Sequence, residues 1–149
     1  MKLTQFIPPG VADTHWDLYE MKDDLNTRIL HLFKSWGYKQ VATPTFEYYD
    51  VFLAGDAILD KNKLFKFINR KGEIMVLRPD ITVPIARMVS AAKKDVPYLK
   101  FSYSGNVFRN QQEQAGFRQE FGQVGIEFYG STSPAADAEV IALAIQSLL

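Results

Sequence analysis

Cysteine is absent from the 149 residues, histidine occurs only at His15 and His31, and no apolar run approaches the roughly 20 residues that span a bilayer. Without thiols there is no disulfide framework and no thiolate metal site. The two histidines are too far apart in sequence to share a helix turn, and no His-Glu-x-x-His pattern exists, so no metal site is legible and no cofactor is expected. Neither sign of charge is in excess. Lys plus Arg is 17 and Asp plus Glu is 17, so no global field draws the chain to nucleic acid or an anionic membrane, and any anion site must be local. A Gly-x-Ser-x-Gly elbow, a P-loop and Gly-x-Gly-x-x-Gly are also missing, which removes the usual support for hydrolase and dinucleotide-binding readings. The opening residues lack the charged-then-apolar pattern of a signal peptide. A soluble cytoplasmic protein with no membrane contact is the expectation.

What is present describes an ordinary folded domain: 47% hydrophobic, 13% aromatic and 23% charged residues, enough for one real core. Leu18, Met21, Leu25, Ile29, Leu32, Phe33 and Trp36 recur at helical spacing, so Asp13–Trp36 reads as a long amphipathic helix stopped by Gly37. Tyr38–Phe52, broken at Pro44, reads as one short strand and a loop running on through Gly55–Asp60. Leu64–Ile68 and Glu73–Leu77 flank Asn69-Arg70-Lys71-Gly72, the composition of a hairpin connection. Thr82–Ala92, with Pro84 in its first turn, reads as a short helix. Tyr98–Phe108 and Glu120–Tyr129 are the strongest strand candidates and predict a long hairpin with a mobile tip over Asn110–Gly116. Ser133 and Pro134 open a last, apolar helix that runs to Leu149 without a stop signal. The chain is therefore expected to continue beyond Leu149, to be part of something longer, and to self-associate through the apolar surface left open.

Three groups of residues could carry chemistry. Gln123, Gly125 and Glu127 share one strand face, and Gly125 leaves a hollow between an amide and a carboxylate that suits a ligand amine or imidazole. The competing reading is an outward polar face. Asp80 and Thr82 follow the rigid Arg78-Pro79 turn at the start of a helix, where they serve either a ligand or simple capping. Arg109 and Arg118 bracket the hairpin tip, as a carboxylate or phosphate clamp or as ordinary solvated charges. Lys61, Lys63, Lys66, Arg70 and Lys71, interleaved with Phe65 and Phe67, suggest a phosphate surface but fit a solvated hairpin face better.

Four separated segments share one pattern. Pro9-Gly10-Val11-Ala12-Asp13, Gly37-Tyr38-Lys39-Gln40-Val41 with Thr43-Pro44-Thr45-Phe46-Glu47, Leu77-Arg78-Pro79-Asp80-Ile81-Thr82, and Phe108-Arg109 with Glu120 to Glu127 together resemble the catalytic core of histidyl-tRNA synthetase and its paralogues, over nearly the whole chain. The closer resemblance is to the paralogues that serve as regulatory subunits of ATP phosphoribosyltransferase. Synthetases usually carry Glu at the positions of Asp80 and Gln111, and the amide at Gln111 removes a charge that helps orient ATP. The run Asp80 to Arg87 also looks like the regulatory version. Phe117 stands where the family often places Arg, with Arg118 one position later.

The resemblance implies an α+β fold, the class II synthetase core with an antiparallel sheet flanked by helices, of which residues 1–149 are the N-terminal part. It implies a histidine pocket made of Asp80, Thr82, Arg109, Gln123 and Glu127, and no catalytic residues. It further implies partnership with the short-form catalytic subunit of ATP phosphoribosyltransferase, feedback by histidine, and no tRNA charging. The rivals are a fragment of a true synthetase that makes histidyl-adenylate, and a free-standing amino-acid-binding module.

Overall fold

A computed structural model describes residues 7–54, 60–92, 97–111 and 118–149. Most of the expected tip of the long hairpin, most of the Gly55–Asp60 loop, and Phe117 lie outside the described residues. Helix α1 runs Trp16–Ser35. It stops because Gly37 takes φ +85°, which lets the Tyr38 N–H donate to the Phe33 carbonyl at 3.1 Å and the Gly37 N–H donate to Lys34 at 3.0 Å. This is a Schellman stop, complete with its apolar contact, since the rings of Phe33 and Tyr38 lie 6.4 Å apart.

Two three-stranded sheets follow. Strand β1 (Lys39–Gln40) runs parallel to β5 (Leu99–Phe108), which pairs antiparallel with β6 (Glu120–Tyr129) over ten residues each. In the second sheet, β2 (Phe46–Tyr48) and β3 (Lys66–Ile68) both pair antiparallel with the central β4 (Ile74–Leu77). The β3–β4 hairpin forms as its connection predicts: the Asn69 carboxamide oxygen accepts from the Lys71 and Glu73 N–H groups, and Gly72 takes φ +82°. The expectation for Tyr38–Phe52 needs correcting. After β2 the chain turns into a five-residue helix, α2 (Tyr49–Leu53), because that turn drives Phe52 into a core with Leu64 and Val76. Tertiary burial outweighs the strand propensity of Tyr49, Val51 and Phe52.

Helices cover both sides of the β1–β5–β6 sheet. Helix α3 (Thr82–Ala91) packs Ile81 and Ile85 against Tyr103 and Val107. The opposite face packs Val124 and Ile126 against Phe33 and Tyr38, together with Leu143 of α4 (Pro134–Gln146). The Ser133 hydroxyl caps α4 by accepting from the Ala135 N–H. The partly exposed Arg87 donates from Nε to Oε2 of the buried Glu47 at 2.6 Å and ties α3 to the second sheet.

Helix α4 is held by a polar cluster. The Tyr38 hydroxyl donates to Glu139 at 2.9 Å, and the Lys100 ammonium reaches the same carboxylate at 2.7 Å while lying over the Tyr38 and Phe128 rings. Burial and the neighbouring carboxylate push the Tyr38 phenol well above its usual range. Partial burial alone would raise the Glu139 carboxyl, but the hydrogen bonds from Lys100 and Tyr38 and the Lys100 charge outweigh it and hold the carboxyl below its usual range. A depressed carboxyl contributes stability above its unfolded value and loses it as pH falls through the folded one. Glu139→Gln should therefore lower stability at pH 7 by about 1 kcal/mol. In thermal melts the gap to the parent protein should close as the pH drops below the glutamate range; a gap independent of pH would refute the assignment.

Candidate functional site

The alternation of β5 and β6 sets the site. Ten residues of each strand pair in register, placing Tyr103 opposite Gly125, Gly105 opposite Gln123, and Phe101 opposite Glu127. Phe121, Gln123, Gly125, Glu127 and Tyr129 thus look toward α3, as the strand period requires. The start of α3 brings Asp80 and Thr82 over this face. The Thr82 hydroxyl donates to Glu127 Oε1 at 2.7 Å, joining two residues 45 positions apart. Asp80 Oδ1 accepts from the Val83 N–H at 3.0 Å, so this carboxylate does cap the helix. Its charge also reaches the site, where it helps raise both Glu127 and Tyr103.

What aims the turn is Arg78, a buried guanidinium. Its Nε donates to the Asn106 carbonyl at 2.8 Å and its Nη1 to the Thr43 carbonyl at 2.6 Å. Gly105 is glycine because a Cβ there would collide with this guanidinium. Arg109 secures the other side of the turn, with its Nε donating to the Pro79 carbonyl at 3.1 Å and its guanidinium stacked 5.2 Å from the Phe121 ring centre. One edge of Arg109 is thus used internally, and its remaining donors stand at the end of the face where Phe121 begins.

The hollow expected at Gly125 is filled. A Cβ on Gly125 would meet the Tyr103 hydroxyl at 2.6 Å, because the directly opposed tyrosine lies across the bare glycine backbone. The Gln123 Nε2 donates to that hydroxyl at 3.1 Å. Among the described residues, Gln123 Oε1 and the Tyr129 hydroxyl are buried side-chain atoms without a hydrogen-bond partner. Burial raises the Glu127 carboxyl above its usual range, an effect that Asp80 reinforces and the Thr82 hydrogen bond partly offsets. Tyr129 is pushed up to about 12, first by burial and then by the Glu127 charge.

Asp80, Thr82, Gln123 and Glu127 therefore share one face, with Arg109 at its end. Tyr103, Tyr129 and Arg78 are site residues that the sequence reading missed. The strand pairing of Tyr103 with Gly125 was the available signal, since aromatic residues opposite glycine cover it. Arg118 is exposed and forms no contact with this group. The basic cluster is dispersed: Lys63 lies 4.0 Å from Asp60, Lys66 covers the Tyr49 ring, and Lys61, Arg70 and Lys71 are exposed. A groove of about 450 Å³ exists on the other side of the same strands, between α1 and residues such as Ser104, Asn106 and Val124. Asp80, Thr82, Arg109 and Glu127 do not line it, whereas Gln123 does. No cluster of His, Asp and Glu suited to a metal ion occurs among the described residues, and no described helix is long and apolar enough to cross a membrane.

Comparison with known proteins gives the same frame. The family model for histidyl-tRNA synthetase matches residues 10–149. An ATP phosphoribosyltransferase regulatory subunit of Moorella thermoacetica is 43% identical over 144 residues, covering 95% of this chain and 37% of the relative. One from Alkaliphilus metalliredigens is 47% identical over 149 residues, covering 96% and 36%. The chain thus spans little more than a third of the length of these curated relatives. A crystal structure of an ATP phosphoribosyltransferase regulatory subunit/histidyl-tRNA synthetase from Bacillus halodurans superposes with a TM-score of 0.85 at 40% identity, over 97% of this chain and 38% of that one. The apo histidyl-tRNA synthetase of S. aureus superposes at 0.77 with 25% identity, over 95% and 33%. The α+β architecture with antiparallel pairing and flanking helices is that of the class II synthetase core.

Proposed function

The chain belongs to the histidyl-tRNA synthetase family, and from that premise we propose that it is the core portion of a regulatory subunit of ATP phosphoribosyltransferase. In this reading it binds histidine without charging tRNA, works with the short-form catalytic subunit in the cytoplasm, and has no catalytic residues of its own. The observation that carries the reading is the curated relatives, which bear this name at identities well above those of the synthetase structures. The amide at Gln111 agrees with it, because motif 2 of a synthetase keeps a carboxylate there to orient ATP.

The face described above suits an amino acid with a basic side chain. Arg109 offers its free guanidinium edge to a carboxylate. Asp80 and the unpartnered Gln123 Oε1 offer acceptors to an ammonium group. Glu127, held by Thr82 and half-desolvated, offers an acceptor to an imidazole N–H. Arg109 stands over Phe121 near one end of β6, and Gln123 and Glu127 follow on the same face of the strand. Exposed apolar residues on α1 (Trp16, Tyr19, Met21), on α4 (Ile141, Ile145) and just after it (Leu148) supply surface for the rest of the protein and a second copy.

Adding the full-length protein to the isolated short-form transferase should restore transferase turnover, and the full-length protein should sediment as more than one copy. No stimulation of the transferase would overturn the regulatory reading. Calorimetric titration tests the pocket separately. Removing one partner of a buried charged hydrogen bond costs about 2–5 kcal/mol, so Glu127→Ala and Arg109→Ala should each weaken histidine binding at least tenfold, while Lys63→Ala leaves it unchanged. Equal affinity in the parent and Glu127→Ala would remove this face from the account.

A further inference from the structure

We propose that Gln119 is a positioning residue for Arg109: together with Gly10 it fastens the segment 7–12 to the stretch of chain that carries the Arg109 guanidinium. This role rests on the histidine-binding reading above and adds to it residues that do not themselves meet the ligand. Strand β5 ends at Phe108, paired with Glu120, so Arg109 stands just beyond the regular ladder. What holds it there is a closed ring of hydrogen bonds. The Arg109 N–H donates to the Gln119 carbonyl at 2.8 Å, the Gln111 N–H donates to the Arg109 carbonyl at 2.9 Å, and Gln119 Nε2 donates to the Gln111 carbonyl at 3.1 Å. Both main-chain polar groups of Arg109 therefore lead to Gln119, one directly and one through Gln111.

The ring is anchored from outside. The Gln119 N–H donates to the Gly10 carbonyl at 2.7 Å, and the Asn110 N–H donates to the Lys63 carbonyl at 2.9 Å. Gly10 is glycine for two reasons: its φ of +80° is left-handed, and a Cβ there would stand 2.5 Å from Cγ and Cδ of Gln119. The Gln119 side chain thus crosses the bare Gly10 on its way to the Gln111 carbonyl. Arg109 is pinned at a second point, where its Nε donates to the Pro79 carbonyl. With Nε fixed, the place of the Arg109 backbone decides how the remaining guanidinium donors are aimed, and a paired contact to a carboxylate depends on that aim.

Histidine and histidinol, which carries a hydroxymethyl group in place of the carboxylate, separate this role from a merely structural one. Both are titrated calorimetrically into the full-length parent, Gln119→Ala, Gly10→Ala, Arg109→Ala and the double variant Arg109→Ala with Gln119→Ala. Gln119→Ala removes the side-chain bond and leaves the main-chain ones. It should weaken histidine roughly three- to tenfold, the worth of one neutral hydrogen bond, and leave histidinol unchanged. Gly10→Ala disturbs the same contact from the other side, so it should weaken histidine and again spare histidinol. In the Arg109→Ala background there is no guanidinium to aim, and Gln119→Ala should have no further effect. Parallel weakening of both ligands, unchanged histidine affinity in either single variant, or an equal effect of Gln119→Ala with and without Arg109 would overturn the proposal while leaving the histidine face standing. If the parent protein binds no histidine, the reading above falls and this proposal falls with it.

Discussion

A single buried guanidinium organises the molecule. Arg78 lies where the second sheet hands the chain to α3, and its described partners are the carbonyls of Thr43, Pro44 and Asn106 and the Thr43 hydroxyl. A buried charge is tolerable when its donors are fully engaged, and burial does lower the proton affinity of this group. The surrounding backbone answers in kind: the Arg78 N–H donates to the Thr45 carbonyl and the Arg78 carbonyl accepts from the Phe108 N–H. Loop 43–45, the end of β4 and the end of β5 are thereby fixed to one residue. Everything that follows Arg78, namely Pro79, Asp80 and Thr82, inherits its position over β6.

Two glycines on the site face serve two different side chains. Gly105 clears a path for the Arg78 guanidinium, and Gly125 clears a berth for the Tyr103 phenol. Each sits across the ladder from a residue that matters, Gly105 from Gln123 and Gly125 from Tyr103. The pairing makes the face a set of acceptors over an apolar core of Ile81, Ile85, Tyr103 and Val107. Desolvation by burial raises Glu127, and the hydrogen bond from Thr82 partly offsets it.

Local patterns were legible where physics is local. The Gly37 stop, the Asn69–Gly72 hairpin, the Ser133 cap and the ten-residue β6 could be read directly, because each depends on a short run of residues. The shared face of Gln123, Gly125 and Glu127 also followed from the strand period alone. The helix at Tyr49–Leu53 did not, because it exists for the burial of Phe52 against Leu64 and Val76, which are distant in sequence. The filling of the Gly125 hollow was equally illegible without the register that opposes Tyr103 to it. Arg78 read as one letter of a turn, whereas its bonds reach residues 28 and 35 positions away. The Asp80 question had two answers at once: the carboxylate caps α3 and also charges the site.

The synthetase family makes an adenylate by aligning ATP with a bound amino acid, and the proposed role for this chain keeps the amino-acid face while lacking the motif 2 carboxylate at Gln111. In that proposed role, histidine binding and histidine activation are separable. The most direct measurement is ATP–pyrophosphate exchange by the purified full-length protein at saturating histidine, under conditions where calorimetry shows the amino acid bound. The account predicts exchange at background. Robust histidine-dependent exchange would contradict it and identify the protein as an active synthetase.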